Sequence, residues 1–180
     1  NCFSFTVAGN IPDKHIINFD LSINDNNSNT WSSSFSITAY APNLLAGGLI
    51  IDDMAGGNNN KRLDPGETIV LMIKTDNIGL SDASSTNGTL SSNSPNIIIN
   101  NGVSNIGTII AGSYSYAVFN ISVSSSAIAG EIVDFLYNAN SGQYTTQETY
   151  NTLIGIVTED WETGDFNKFN WVKSGDLPWF

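Results

Sequence analysis

The sequence predicts an all-β protein whose strands form a β-sandwich. Apolar and polar residues alternate along most of the chain, and clusters of Gly, Asn, Ser or Pro interrupt this alternation roughly every eight to twelve residues. β-branched and turn-forming residues occur in every window of helix length, so we expect no helix. Hydrophobic residues make up 41% of the 180 residues, which is enough to bury a core.

The alternation predicts ten strands. The first three are rich in aromatic and β-branched residues and are separated by polar turns. The fourth and fifth flank the glycine-rich segment 52–67, and the sixth and seventh are short runs between Ser and Asn clusters. The last three alternate most regularly. The predicted strands are 3–7, 16–23, 34–40, 49–51, 68–74, 88–91, 96–99, 114–123, 131–137 and 149–156.

Charge and cysteine content restrict the function. The net charge is −11, from 17 acidic and 6 basic residues, which disfavours binding to the phosphate backbone of a nucleic acid. No apolar run approaches the ~20 residues of a membrane-spanning helix, so no membrane span is expected. The single cysteine, Cys2, cannot form an internal disulfide and does not identify the redox compartment.

Six apolar residues near the N-terminus recur at one constant spacing. Phe3 and Phe119 are 116 positions apart (119 minus 3), and Phe19 and Phe135 have the same separation (135 minus 19). A repeat slightly longer than about 100 residues is typical of an immunoglobulin-like sandwich. Two unrelated amphipathic β-meanders can align in the same way, but we favour duplication. The set pairs Phe3, Phe5, Val7, Ile17, Phe19 and Leu21 with Phe119, Ile121, Val123, Val133, Phe135 and Tyr137.

The repeat predicts an immunoglobulin-like β-sandwich with flanking partial β modules. Residues 1–41 would be the closing strands of a preceding immunoglobulin-like unit, and residues 42–157 a complete immunoglobulin-like β-sandwich. Residues 158–180 would start a following Trp-rich module. The closing strands of the first unit would expose a sheet edge, which is normally covered by a neighbouring segment, a partner chain or the missing half of the domain.

The C-terminal segment has two interpretations. Trp161, Trp171 and Trp179 are three of the four tryptophans of the chain. Exposed at this density they would favour aggregation, so we expect them to pack in a core or on the preceding sandwich. Alternatively they form a sugar-stacking platform, because aromatic faces flanked by Asp and Asn are suited to carbohydrate.

Short motifs around the glycine-rich loop suggest a family. Ala41-Pro42, Asp52-Asp53, Gly57-Asn58, the 63–67 Leu-Asp-Pro-Gly-Glu turn and Asn77-Ile-Gly79 follow one another in this order. The series resembles the immunoglobulin-like accessory repeats that follow the catalytic domain of gingipain-like cysteine peptidases and related exported bacterial adhesin-type proteins.

That resemblance implies a non-catalytic role as a spacer, stabiliser or adhesion module. It implies a secreted or cell-surface location in a bacterium. It implies that the module starting at residues 158–180 is of jelly-roll or adhesin type. The partners would be other domains of the same polypeptide, with a cell-surface protein or glycan as a further candidate. A carbohydrate-binding module that uses Trp161, Trp171 and Trp179 is the alternative function.

No catalytic site is predicted. The first basic residue after Cys2 is Lys14, so nothing nearby in sequence would lower the pKa of the thiol. His15 is expected in a solvated turn, and it lacks the His or Cys partners of a zinc site. The His and Cys pair of the gingipain-like peptidase domain has no match here, so the chain is predicted not to be an enzyme. Paired carboxylates that meet only in space stay an open alternative.

The glycine-rich loop is a candidate structural calcium site, although no cofactor is required. Calcium takes six to eight hard oxygen ligands, and the segment supplies six oxygen-bearing side chains. The spacing is not that of an EF-hand. The alternative is that 64–67 is only a turn, in which Pro65 and Gly66 occupy the two central positions and the Asp64 side chain caps the start. The candidate ligands are Asp52, Asp53, Asn58, Asn60, Asp64 and Glu67.

Overall fold

The computed structural model describes residues 3–156, and this part of the chain is all-β. It contains ten strands, all paired antiparallel, and no helix long and apolar enough to cross a membrane. The predicted fold class is therefore confirmed. The strands are β1 (His15–Asn24), β2 (Thr30–Ala39), β3 (Leu44–Asp52), β4 (Thr68–Asn77), β5 (Ala83–Ser91), β6 (Ile97–Asn101), β7 (Val103–Ile109), β8 (Tyr114–Val123), β9 (Ile132–Ser141) and β10 (Tyr144–Leu153).

Eight strands form an immunoglobulin-like sandwich of two sheets. One sheet has the order β3-β4-β8-β6 and the other the order β10-β9-β5-β7. Strands β1 and β2 pair only with each other and form a separate two-stranded element, which we call the N-terminal hairpin.

The core lies between the two sheets and follows the alternation of the sequence. Strand β4 buries every second residue from Ile69, and β8 and β9 do the same. Phe119 of one sheet and Tyr137 of the other meet edge to face, with ring centroids 6.0 Å apart. The fully buried side chains of this core include Ile69, Leu71, Ile73, Phe119, Ile121, Val133, Phe135 and Tyr137.

Several predicted strand limits were wrong where the alternation is interrupted. Strand β3 begins at Leu44 instead of residue 49, because the ladder continues through an irregularity at Gly47-Gly48. Strand β5 also begins earlier, at Ala83, and its pairing with β7 is irregular. Strand β7 was missed, since Ser104, Asn105 and Gly107 interrupt its apolar residues. Strand β10 spans 144–153 instead of 149–156.

The predicted strand at residues 3–7 is absent, because this segment joins no sheet. It still contacts the N-terminal hairpin through an aromatic cluster. The ring centroid of Phe5 lies 4.9 Å from that of Phe19, and the Phe19 and Phe35 rings stack at 5.0 Å. The segment therefore packs on the hairpin as an extended chain, although Phe5 stays 57% exposed.

Candidate functional site

The motif residues that are scattered along the sequence converge at two opposite ends of the sandwich. Strand β3 runs from one end to the other, and its partner β4 returns antiparallel from Thr68 to Asn77. Nine residues at about 3.3 Å each separate these ends by roughly 30 Å. Residues around Ala41 and Asn77 lie at the first end, and the acidic loop 53–67 lies at the second.

The first end holds the connection between the N-terminal hairpin and the sandwich, residues 40–43, which we call the joint. Ala41 is 1% exposed. The N–H of Asn43 donates to Oδ1 of Asn77 at 3.1 Å, and the Asn43 carbonyl accepts from the N–H of Ile78 at 2.8 Å. A Cβ at Gly79 would overlap the carbonyl oxygen of Ala41, so this position requires glycine.

Asn77 is the fully buried polar side chain that organises the joint. Its Nδ2 donates to the carbonyl of Ser81 at 2.8 Å and to that of Ile109 at 3.0 Å. Its Oδ1 also accepts the N–H of Gly79 at 3.2 Å. With the bond from Asn43, one side chain thus links residues 79–81 and Ile109 to the joint.

Two further hydrogen bonds attach the base of the N-terminal hairpin to the sandwich. The N–H of Ala41 donates to Oδ1 of Asp13 at 3.0 Å, and the Tyr144 hydroxyl donates to the carbonyl of Ile11 at 3.1 Å. The short connection and these bonds define one orientation of the hairpin on the sandwich.

The second end begins with the predicted turn at 64–67. The N–H of Glu67 donates to the Asp64 carbonyl at 3.3 Å, and Gly66 has φ of 87°, which is the geometry of a type II turn with Pro65 before the glycine. The turn prediction is correct. The Asp64 side chain has a different task, because its Oδ2 accepts the amide groups of Asn58 at 2.9 Å and Asn60 at 2.5 Å.

The other carboxylates of the acidic loop hold its backbone. Asp53 is fully buried, and its two oxygens accept the N–H groups of Asn60 at 2.9 Å and Lys61 at 3.1 Å. Glu67 accepts the N–H of Asn58 through Oε1 at 3.0 Å. Its second oxygen, Oε2, is buried and has no hydrogen-bond partner.

Five of the six candidate calcium ligands are therefore linked in one hydrogen-bonded loop. The sixth, Asp52, accepts the N–H of Met54 at 3.1 Å in its own turn. Within residues 3–156 no group of three or more His, Cys, Asp or Glu side chains is arranged to hold a metal ion. The carboxylates of the acidic loop accept hydrogen bonds mainly from N–H groups of the loop itself.

The chain leaves the sandwich beside this loop. Leu63 and Ile154 are both fully buried and form an isolated bridge, and the N–H of Gly155 donates to the Leu63 carbonyl at 2.6 Å. An open groove of about 350 Å³ runs past this point and is lined by Lys61 and Arg62 together with residues at the end of β10. Within residues 3–156, the sandwich thus begins at the joint and its last strand ends beside the acidic loop.

The remaining candidate residues are placed as follows. His15 is exposed, but it is the first residue of β1. The prediction that it lies in a turn was therefore wrong. Cys2, Trp161, Trp171 and Trp179 lie outside the described residues. The carbohydrate alternative therefore stays a prediction.

The buried Tyr137 and the partly buried Tyr150 have raised pKa values but do not form a catalytic pair. Burial raises the pKa of Tyr150 to about 12, with smaller contributions from Glu148 and Tyr137. Burial also raises the pKa of Tyr137, which the hydrogen bond with Thr75 partly offsets. The Tyr150 hydroxyl donates to the carbonyl of Gly47 at 2.5 Å, which fixes the irregular part of β3 on the facing sheet.

Sequence reasoning missed the structural role of Asn77, Asp13 and Tyr144 at the joint. Asn77-Ile-Gly79 and Ala41-Pro42 were both noted as motif residues, but their proximity depends on the pairing of β3 with β4. The available signal was an Asn at an inward position of an otherwise apolar strand, which requires buried hydrogen-bond partners.

Comparison with known proteins adds no family assignment. No protein-family model matches the chain, and the search of curated proteins finds no match.

Proposed function

We propose that this chain is a non-catalytic accessory module, a spacer or stabiliser with adhesion as a related role, of an exported multi-domain bacterial protein. The carrying observation is that, within residues 3–156, the sandwich begins at the joint and its last strand, β10, ends beside the acidic loop roughly 30 Å away. A module that connects to its neighbours at opposite ends keeps them a fixed distance apart in a row of modules. Its partners would be the neighbouring domains of the same polypeptide.

The joint supports the spacer role. Of its four residues, Ala41 is buried and Asn43 is held by Asn77, so few backbone torsions are free to change between the N-terminal hairpin and the sandwich. Flexible linkers are instead rich in Gly and Ser and make few contacts. The resemblance to accessory repeats of gingipain-like peptidases supports the same role and the secreted or cell-surface location.

A distance measurement across the joint tests the spacer role. Spin labels at Asn27→Cys in the hairpin turn and Met54→Cys in the acidic loop, in a Cys2→Ser background, should give one narrow distance distribution. Gly79→Ala should broaden it, because its Cβ would overlap Ala41. Gly48→Ala is the matched control, since a Cβ there meets no atom within 4 Å. A broad distribution in the unchanged joint would contradict the spacer role.

Activity measurements test the non-catalytic part of the proposal. The purified chain should not accelerate hydrolysis of peptide or glycan substrates above the rate without protein. Reproducible hydrolysis that follows the chain through purification would overturn it.

A structural cation at the acidic loop is a second candidate, and one observation favours it. The buried Oε2 of Glu67 lacks a partner, and a buried carboxylate oxygen without one is costly. Calcium prefers such oxygens, and Asp53, Asp64 and the amides of Asn58 and Asn60 lie in the same loop. The bound ion would stabilise the loop without taking part in a reaction.

Thermal unfolding tests the cation. Added calcium should raise the melting temperature, a chelator should reverse the rise, and Glu67→Gln should remove it. Asp134→Asn, which neutralises an exposed carboxylate on β9, is the matched control and should keep the full response. An unchanged melting temperature in millimolar calcium would exclude a site with the weak affinity of extracellular calcium modules.

A further inference from the structure

The N-terminal hairpin has one apolar face that nothing in residues 3–156 covers completely. Cross-strand partners point to the same side, and Phe19 faces Phe35 while Ile23 faces Trp31. Phe35 is 58% exposed and Trp31 is 55% exposed. The opposite face is polar except for one residue. An apolar face of this kind marks an interaction site. Its members are Ile17, Phe19, Leu21, Ile23, Trp31, Phe35 and Ile37.

The hairpin has an equivalent inside the sandwich, and the equivalence extends to the turns. The two turns before β1, at 9–10 and 13–14, recur 116 residues later at 125–126 and 129–130 before β9 (125 minus 9). Lys14 has φ of 62°, and its equivalent Gly130 has φ of 89°, so both segments adopt a left-handed backbone conformation at the equivalent position. The local path of the chain is therefore the same in both places.

The strand pairing is equivalent as well. Phe19 faces Phe35 across β1 and β2, and Phe135 faces Tyr150 across β9 and β10. The first residues are 116 apart (135 minus 19) and the second 115 apart (150 minus 35), a difference of one residue that the different hairpin turns absorb. Both hairpins thus carry an aromatic pair at the centre of the same face.

The two faces differ in what covers them. Val133, Phe135 and Tyr137 are at most 1% exposed, because they belong to one core cluster with the residues of β4 and β8. The other edge of β9 pairs with β5 through residues 136–140. Subtracting 116 places the equivalent edge at residues 20–24 of β1, which pairs with no strand of the described chain.

We infer that the apolar face of the N-terminal hairpin is covered by a β-sheet segment of the same kind as β3 to β7, located N-terminal to Phe3 in the same polypeptide. This segment supplies a strand that pairs with β1 along residues 20–24, and a facing sheet that buries Phe19, Phe35 and Trp31. The inference deepens the proposed function and rests on its statement that the chain belongs to a row of modules.

Two observations place this segment in the same polypeptide instead of a second copy. In the complete unit β3 to β7 precede β8, and residues 3–7 correspond by the 116-residue spacing to Phe119 through Val123 of β8, so the inferred equivalents of β3 to β7 would precede Phe3. In a second copy, β3 to β7 are already engaged with their own β8 to β10. A second copy could donate them only by opening its own core.

A graft tests the inference. Residues 43–118 are joined in front of residues 3–180, so that Val118 is followed by Phe3 as it is normally followed by Phe119. Hydrogen exchange is then followed at those amides of residues 20–24 that point away from β2. Their exchange should slow by roughly tenfold or more relative to the chain without the graft, because the edge becomes paired. Binding of a dye specific for apolar surface should fall.

Matched variants identify the face that is covered. In the grafted chain Phe19→Asp should abolish the protection of β1, whereas Asn18→Asp, the same new charge one residue away on the opposite face, should leave it intact. The amides of β9 serve as the internal reference for folding, since they belong to the complete unit in every variant.

A second graft allows for imperfect fit between the donated strands and the hairpin. Ile17→Val together with Leu21→Tyr gives the face the residues that occupy the equivalent positions 133 and 137. If β1 stays unprotected in both grafts while β9 stays protected, the inference is wrong. It is also wrong if the unchanged chain forms a dimer that protects β1 and that Phe19→Asp dissociates, because the occupant is then a second copy.

These outcomes are separable from the failure of the proposed function. Hydrolysis by the purified chain would overturn the accessory function and leave the graft result unaffected. Failure of the grafts would not change the outcome of the spin-label distance measurement or of the hydrolysis assay.

Discussion

The N-terminal hairpin and the β9–β10 hairpin of the sandwich have the same local structure and opposite environments. Both are preceded by two turns at equivalent positions, and both have an aromatic cross-strand pair near their centre. Phe135 is nevertheless fully buried, while its equivalent Phe19 is only partly buried. The difference shows that the alternation of the sequence determines which face of a hairpin is apolar, whereas the second sheet determines whether that face stabilises the protein.

The largest expected difference between the hairpins comes from truncating equivalent phenylalanines. Phe135→Ala removes a fully buried ring and should cost about 3–5 kcal/mol, which lowers the melting temperature of the sandwich by roughly 6–20 °C. Phe19→Ala should cost less than about 1 kcal/mol, because its surroundings are only partly closed. Thermal unfolding followed by circular dichroism measures both. Equal losses would mean that the hairpin face is already buried.

The next effect concerns the joint that connects the two regions. Asn77→Ala deletes a fully buried amide and leaves its backbone partners at Asn43, Ser81 and Ile109 without hydrogen bonds, so we expect a loss of about 2–4 kcal/mol. Ile78→Ala is the control, since that side chain is 57% exposed and should change stability by less than about 0.5 kcal/mol. Urea unfolding distinguishes them, and similar midpoints would contradict the role assigned to Asn77.

A smaller effect is expected from a buried hydrogen bond that the sandwich has and the N-terminal hairpin lacks at the equivalent position. Tyr137 and Thr75 share a buried hydrogen bond of 2.6 Å, whereas the equivalent of Tyr137 in the N-terminal hairpin is Leu21. Tyr137→Phe and Thr75→Val should each cost about 1–2 kcal/mol, because each leaves one buried hydroxyl unpaired. The double variant should cost little more than either single one. Additive losses in a double-mutant cycle would show that the two hydroxyls act independently.

The smallest expected effect is alkaline destabilisation, which only the β9–β10 hairpin can show. The pKa of Tyr150 is raised to about 12, while an unfolded tyrosine titrates near its ordinary value of about 10. The folded state therefore holds the proton more tightly, so its contribution to stability is complete below about pH 10 and declines as the pH rises towards 12.

Tyr150→Phe should flatten the fall of unfolding free energy over this pH range, whatever its effect at neutral pH. Phe35→Tyr in the N-terminal hairpin is the counterpart, and its more exposed phenol should add no comparable slope. Denaturant unfolding at a series of pH values measures both. An unchanged slope in Tyr150→Phe would contradict the assignment.

Much of the sandwich could be predicted because its signals are local. Strands β4 and β8 alternate without interruption, and the 64–67 turn depends on Pro65 and Gly66 alone. The predictions failed where long-range pairing outweighs local preference. Gly47-Gly48 were predicted to lie before a strand that starts at residue 49, yet β3 runs through them because β4 and Tyr150 hold this part of the strand. In strand β7 Asn105 and Gly107 interrupt the alternation, and the segment is extended because β5 pairs with it.

The candidate sites divide in the same way. The sequence identified the residues of the acidic loop, since oxygen-bearing side chains are recognisable at short spacing. It could not show that Asp53 would use both carboxylate oxygens on the loop backbone, or that Glu67 would keep one oxygen buried and unpaired. Those outcomes depend on the path of the loop in three dimensions.

The sequence by itself determined the all-β class, the apolar side of each hairpin and the spacing of 116 residues between equivalent positions, because each is a property of residue order at short range or fixed offset. Only the tertiary structure decided that Val133, Phe135 and Tyr137 are buried while their equivalents are not. It also brought Asn43 to Asn77, 34 residues away, to form the joint. Burial needs a second layer, and no single strand contains the information about which layer lies opposite it.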